Sequence, residues 1–182
     1  MVIFQFLFIS ILGTILHFAY DLSNHIFIFS IIGAVNESPW EHLKMGIFPW
    51  FFWYFLKIFI LKSEISFLVS FLAISYFMVG ILTVYYSYNH FTKKAILPID
   101  IMNFYHGILG GVLIDLYLSK KQWDSKWEKF GLIGFLLILF MALINTYYPF
   151  KCHVFLDERM KLYGIEAHEK RCKLEKNKNK NQ

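Results

Sequence analysis

The sequence has little of what a soluble enzyme of its length depends on. Charged residues fill 17% of its 182 positions, against 57% hydrophobic and 20% aromatic. Mean hydropathy is +0.48. A soluble domain of this size cannot hide so much apolar surface, so a soluble globular fold is excluded. Cysteine is nearly absent: Cys152 and Cys172 both lie near the C-terminus, which rules out a disulfide framework. The N-terminal run, residues 1–19, lacks a basic n-region and an A-x-A pattern. Its apolar part is also too long for a signal peptide, so it reads as a retained first helix. No internal repeat supports a two-fold transporter architecture. No nucleic-acid-reading motif accompanies the net charge of +5, so nucleic acid is not an expected partner.

What the chain does have is long apolar runs. Five segments reach the ~20 residues that a bilayer-crossing helix needs: 2–20, 39–62, 65–88, 95–118 and 130–148. A sixth run, HIFIFSIIGAV at 25–35, is too short to cross. It reads as a re-entrant or interfacial segment whose backbone protein must cover. The expected fold is all-α: a polytopic transmembrane helix bundle over residues 1–150, then a basic C-terminal tail over 151–182. The tail holds nine Lys/Arg and five Asp/Glu. That excess suits anionic headgroups and places the tail on the cytoplasmic side of a cell membrane that the chain crosses several times. The closing EKNKNKNQ is of low complexity and is expected to be disordered.

One polar stretch interrupts the apolar pattern. AVNESPWEHLKMGIFPW, from Ala34, gathers Asn36, Glu37, Ser38, Glu41, His42 and Lys44 within nine residues. Ser38 can cap a helix, Pro39 suits its first position, and Glu41 completes a capping box. Pro49 and Pro98 are expected inside spanning helices, each with a local kink. Gly107, Gly110 and Gly111 permit close approach of a neighbouring helix.

If 25–35 does not cross, threading the helices up and down delivers most ionisable residues to one face. His17 and Asp21 end the first helix there, and Glu37, Glu41, His42 and Lys44 begin the second. His90, Asp100, Asn145 and Tyr147 follow on the same side. In the fourth helix Asp100, Asn103, Gly107 and Gly110 share a stripe, with His106 at its margin. A charge at helix centre costs ~2.5–3.5 kcal/mol on insertion scales, so such residues face a cavity or a partner. Plainer readings stand beside these. Glu41 and Lys44, three apart, can form a surface ion pair. Lys57 can snorkel to the far interface. Trp40, Trp50 and Trp53 can face lipid or pack. Cys152-His153 and His168-x-x-x-Cys172 carry metal-ligand types, but adjacent Cys-His suits one tetrahedral ion poorly, and both read as incidental.

VNESPWEHLK, the upstream LHFAYD and the closing TYYPFKCHVFLDERMKLYGI together resemble a family of small bacterial integral membrane proteins with no assigned function. Its form is N-E-S-x-W-E-H-L-K after a histidine-bearing first helix, with Y-G-I near the end. The resemblance implies a bacterial inner-membrane protein and lends weight to Glu37, Glu41 and His42. Ser38-x-x-x-His42 with an intramembrane Asp is also similar, in part, to the alkaline ceramidase and adiponectin-receptor superfamily of seven-helix zinc-dependent amide hydrolases. This chain has fewer helices and lacks that superfamily's late H-x-x-x-H pair.

The functional expectation is a metal-dependent intramembrane hydrolase acting on a lipid-like ester or amide. Two or three of His17, His42, Asp100 and His106 would hold a Zn2+-type ion, and Glu37 or Glu41 would serve as base. Lys44 and Asn103 would bind substrate or phosphate, and Asp21, Asn36, Ser38 and Trp40 would support the site. The alternatives are a proton- or ion-coupled transporter or channel, and an accessory subunit of a membrane complex. The expected partners are the bilayer, a lipid-like substrate, and a second copy or a partner subunit.

Overall fold

The computed structural model describes residues 2–180. Helix α1 (Val2–Leu22) is followed by the short α2 (Phe27–Ile32) and by α3 (Pro39–Phe55), which continues as a π-helical turn over Leu56–Ile60. Then come α4 (Phe67–Thr92), α5 (Leu97–Leu118) and α6 (Ser125–Ile144). A 3-10 turn (His153–Phe155) leads into a two-stranded hairpin, β1 (Leu156–Asp157) and β2 (Leu162–Tyr163), and α7 (Gly164–Lys180) closes the chain. Among the described residues five helices are long and apolar enough to cross a membrane, the pattern of a multi-pass membrane protein. The architecture is an all-α helical bundle. At six residues α2 is far too short to cross.

The long helices turn apolar side chains outward. On α1, Ile3, Leu7, Ile11 and Ile15 recur every fourth residue, and all four are exposed. A helix aligns such positions on one face, and that face suits lipid.

Contacts group the chain into two units. One takes the described residues up to Gly13 with Gly46–Leu139, and the other takes Thr14–Met45 with the described residues from Phe140 onward.

In the first unit Trp50, Trp53, Tyr54, Ile74, Phe77 and Ile108 form a core with at most 1% exposure. α5 lies close against α4: a Cβ on Gly111 would stand 2.9 Å from the Ala73 carbonyl oxygen and 2.8 Å from Trp50. The sequence expectation of close approach at these glycines is met there. Pro98, expected inside the helix, stands in its first turn, where its missing N–H is no loss. Pro49 does lie inside α3. Glu128 reaches from α6 to the start of α4, accepting from the Phe67 amide at 2.8 Å and the Ser66 hydroxyl at 2.5 Å.

Lys57 departs from its snorkelling expectation. It is 7% exposed and reaches the Asp115 carboxylate at 3.3 Å, and Asp115 is 4% exposed. Gln5 Nε2 donates to Asp115 Oδ2 at 2.8 Å and the Ser119 hydroxyl to Oδ1 at 3.0 Å. Removing one partner from such a buried group is costly.

The second unit is built around the start of α3. α6 ends at Ile144 rather than at 148. Asn145 Nδ2 donates back to the Met141 carbonyl at 2.8 Å, competing with the helix ladder, and Pro149 follows shortly after. The hairpin pairs Leu156 with Tyr163 and Asp157 with Leu162. Asp157 holds its turn, accepting at Oδ1 from the Arg159 and Met160 amides at 2.8 and 2.9 Å. The closing run expected to be disordered lies within α7 as far as Lys180, and Asn181 and Gln182 fall outside the described residues.

Candidate functional site

The polar motif folds as a capped helix entry. Ser38 Oγ accepts from the Glu41 amide at 3.4 Å, so Ser38 caps α3 as its position before Pro39 implies. The reciprocal half of the capping box is made by another residue. Asn36 Oδ1, not Glu41, accepts from the Ser38 amide, at 2.8 Å. Asn36 Nδ2 donates to the Gly164 carbonyl at 2.8 Å, and the Glu37 amide donates to Asp157 Oδ2 at 3.0 Å. The loop before α3 is thereby tied to the hairpin and to the start of α7. Trp40, buried, holds its ring 4.8 Å from that of Phe155 in a tilted contact.

Glu41 is released from capping into the interior. Its carboxylate accepts from the Val35 amide at 3.0 Å and from the Thr146 hydroxyl at 3.3 Å, and it pairs with Lys44 at 2.8 Å. Lys44 also donates to the Ser30 carbonyl at 3.0 Å and to Thr146 Oγ1 at 2.5 Å. An ammonium has three donors, and all three are used. The pair is not on the surface: Lys44 is 0% and Glu41 1% exposed. Ser30, on α2, bonds the Tyr147 hydroxyl at 2.6 Å, so α2 and the turn after α6 join the same knot.

Above this buried pair stand three half-exposed groups. His42 Nδ1 lies 2.9 Å from the Ser38 carbonyl, which can only accept, so Nδ1 carries the proton and Nε2 is the basic nitrogen. His42 Nε2 is 3.9 Å from Glu37 Oε2. The rings of His17 and His42 have centroids 5.4 Å apart. His17 Nδ1 meets the Met45 sulfur at 3.1 Å; a thioether accepts, so His17 also presents Nε2 as its basic nitrogen.

Asp21 is exposed and pairs with Arg171 at 2.9 and 3.0 Å. The other expected site residues belong to the first unit, so the four expected metal ligands divide between the units. Asp100 accepts from the Tyr88 hydroxyl. Asn103 donates to the Ile81 carbonyl at 2.9 Å. His106 lines an apolar groove of about 610 Å3 together with Leu72, Tyr76, Thr83 and Ile114.

Several contributors escaped the sequence reading. Asp157 and Thr146 hold the motif from far along the chain, and no spacing rule marks either. Gly164 left a signal in Y-G-I. Its φ is +53°, and a Cβ there would stand 2.3 Å from the Thr146 carbonyl oxygen. That same oxygen accepts from the Ile165 amide at 3.0 Å. Glycine is required at this point.

The model of a family of unknown function, DUF6512, matches residues 1–165, and the chain belongs to that family. No curated protein and no solved structure matches it.

Proposed function

We propose that this DUF6512 protein is a multi-pass membrane hydrolase that cleaves a lipid-like ester or amide by acid–base chemistry at His42, Glu37 and His17. The observation behind the reading is the pair of acceptors His42 Nε2 and Glu37 Oε2, 3.9 Å apart and half-exposed. That gap is too long for a direct hydrogen bond and fits one bridging water. A water donating to both acceptors turns its lone pair outward, toward a carbonyl carbon.

In this reading water attacks the carbonyl and His42 Nε2 takes its proton. The imidazolium, stabilised by Glu37, returns that proton to the leaving oxygen or nitrogen as the scissile bond breaks. The proton freed when the acid product ionises leaves through His17. Glu41 and Lys44 are positioning residues: their donors and acceptors are consumed within the knot. A lipid-like substrate is favoured by the exposed Ile15 and Phe18, which flank His17 on α1. Residence in a bacterial cell membrane, with α7 on the cytoplasmic side, belongs to the same reading and rests on the Lys/Arg of the tail.

The test is to incubate the protein in nanodiscs with a total lipid extract and follow free fatty acids and amines by mass spectrometry. His42→Asn is the informative variant. Its amide can still donate to the Ser38 carbonyl, while the basic Nε2 is gone. The reading expects product from the wild type and a drop of about 10²–10⁴ in the variant. No product from the wild type, or equal product from both, would contradict it.

A second reading, proton- or ion-coupled transport, is favoured by the Lys57–Asp115 pair buried in spanning helices of the first unit. Flux in proteoliposomes that is lost in Asp115→Asn would support it. Equal flux in the two proteins, or none under a proton or sodium gradient, would remove it.

A further inference from the structure

The turn after α1 and the helix α7 assemble a second group of side chains in the same unit. His168 and Cys172 stand one turn apart on α7 and share a face. Cys172 Sγ lies 3.3 Å from His168 Nε2. His25 joins them from the turn: its ring centroid is 4.6 Å from that of His168. One ligand atom from each of His25, His168 and Cys172 falls within 4.8 Å of the others. Among the described residues this is the group of His, Cys, Asp and Glu that meets that spacing. Ligands at 2.0–2.3 Å around a tetrahedral zinc are about 3.3–3.8 Å apart, so the sulfur–nitrogen edge already has the required length.

The surroundings have the character of a metal site's supporting shell. His168 Nδ1 lies 3.1 Å from the Val35 carbonyl, which can only accept. With the proton on Nδ1 for that carbonyl, Nε2 is left for an ion, the arrangement usual for a metal-bound imidazole. His168 is 4% exposed, and Tyr20 lies edge-on against it at 4.8 Å. Asp21 approaches His25 Nε2 at 3.6 Å and His168 Nδ1 at 3.8 Å. Arg171 Nη2, a donor, also lies 3.0 Å from His168 Nδ1 and competes with the Val35 carbonyl there, while both oxygens of Asp21 hold the guanidinium. The backbone contributes as well. Asn24 and His25 both have positive φ, +56° and +66°. Side-chain-bearing residues adopt that conformation only at a steric cost, and here it carries His25 to the face of α7.

We infer that His25, His168 and Cys172 bind one divalent transition-metal ion of the zinc class, with a fourth position open to water or to Asp21. One thiolate and two imidazoles select a borderline-soft ion over magnesium or calcium. Binding replaces the Cys172 thiol proton, which passes to solvent, by a sulfur–metal bond. The ion fastens α7 to the α1–α2 turn. These residues are separate from the His17–His42–Glu37 group, so the inference stands or falls apart from the hydrolase reading.

The experiment uses the full chain purified in detergent, stripped with a chelator and titrated with Co2+, then with Zn2+. The expected result is one equivalent bound, with a thiolate-to-cobalt charge-transfer band that Zn2+ abolishes. Zn2+ should also raise the melting temperature. Cys172→Ser should lose the band and weaken Zn2+ by more than about a hundredfold, since even supporting-shell changes cost 10–100-fold. Cys152→Ser and His42→Asn should keep both signals. A wild type without the thiolate band overturns the inference, as does a band that survives in Cys172→Ser or one lost in Cys152→Ser.

Discussion

His17 on α1 and His42 on α3 hold their rings 5.4 Å apart, although 25 residues and a short helix separate them in the chain. Each has its Nδ1 engaged locally, to Met45 sulfur and to the Ser38 carbonyl, so both present Nε2. A pair so arranged, beside Glu37, has the elements of an acid–base site. On the same helix, Glu41 and Lys44 form a fully buried pair.

That buried pair gives the first prediction. Lys44→Met leaves the buried Glu41 carboxyl without its main partner, and Glu41→Gln does the same to the Lys44 amine. Each single change should cost about 3–5 kcal/mol. The double variant Glu41→Gln/Lys44→Met should be less destabilised than either single one, because no lone charge remains. Thermal unfolding in detergent of the four proteins checks this. A double variant worse than both singles would show that the pair is not coupled as described.

Gly164 is predicted to resist substitution. Gly164→Ala must take up a left-handed φ and place a methyl group 2.3 Å from the Thr146 carbonyl oxygen. The backbone term alone is about 1–2 kcal/mol, and the clash adds to it. A melting temperature within a degree of wild type would contradict the placement of Y-G-I against the turn after α6.

Lys57 and Asp115 should behave as a unit in the first half of the fold. A double-mutant cycle with Lys57→Met and Asp115→Asn is expected to give a coupling energy within the 0.5–3 kcal/mol that contacting residues show. Additive effects, measured by unfolding in detergent, would mean that Lys57 does not pair there.

Much of this fold is legible from hydropathy alone. The five helices long and apolar enough to cross, and the short run between the first two, follow from the length of apolar stretches, because a bilayer imposes one length on every crossing. The convergence of His17 with the polar motif follows from threading: a run that cannot cross returns the chain to the face it left. What hydropathy cannot show is depth and partner. Glu41 and Lys44, three apart, look like a surface pair until Val35, Ser30 and Thr146 are seen around them. Lys57 looked free to snorkel because Asp115 lies 58 residues away. The spacing of His168-x-x-x-Cys172 gives no hint of His25, which comes from a turn at the other end of the chain. Asp100 shares a helix stripe with Asn103, with His106 at its margin, yet their unit is not that of His17 and His42, and periodicity carries no information on which unit a stripe joins.

The most direct test of the central claim is kinetic. Turnover of a lipid ester in nanodiscs should be measured for wild type, His17→Asn, His42→Asn and the double variant. If the two imidazoles form one acid–base unit, each single change lowers the rate, His42→Asn by about 10²–10⁴, and the double variant is no slower than His42→Asn alone. Fully multiplicative losses would contradict the account, as would a His42→Asn protein that turns over like wild type.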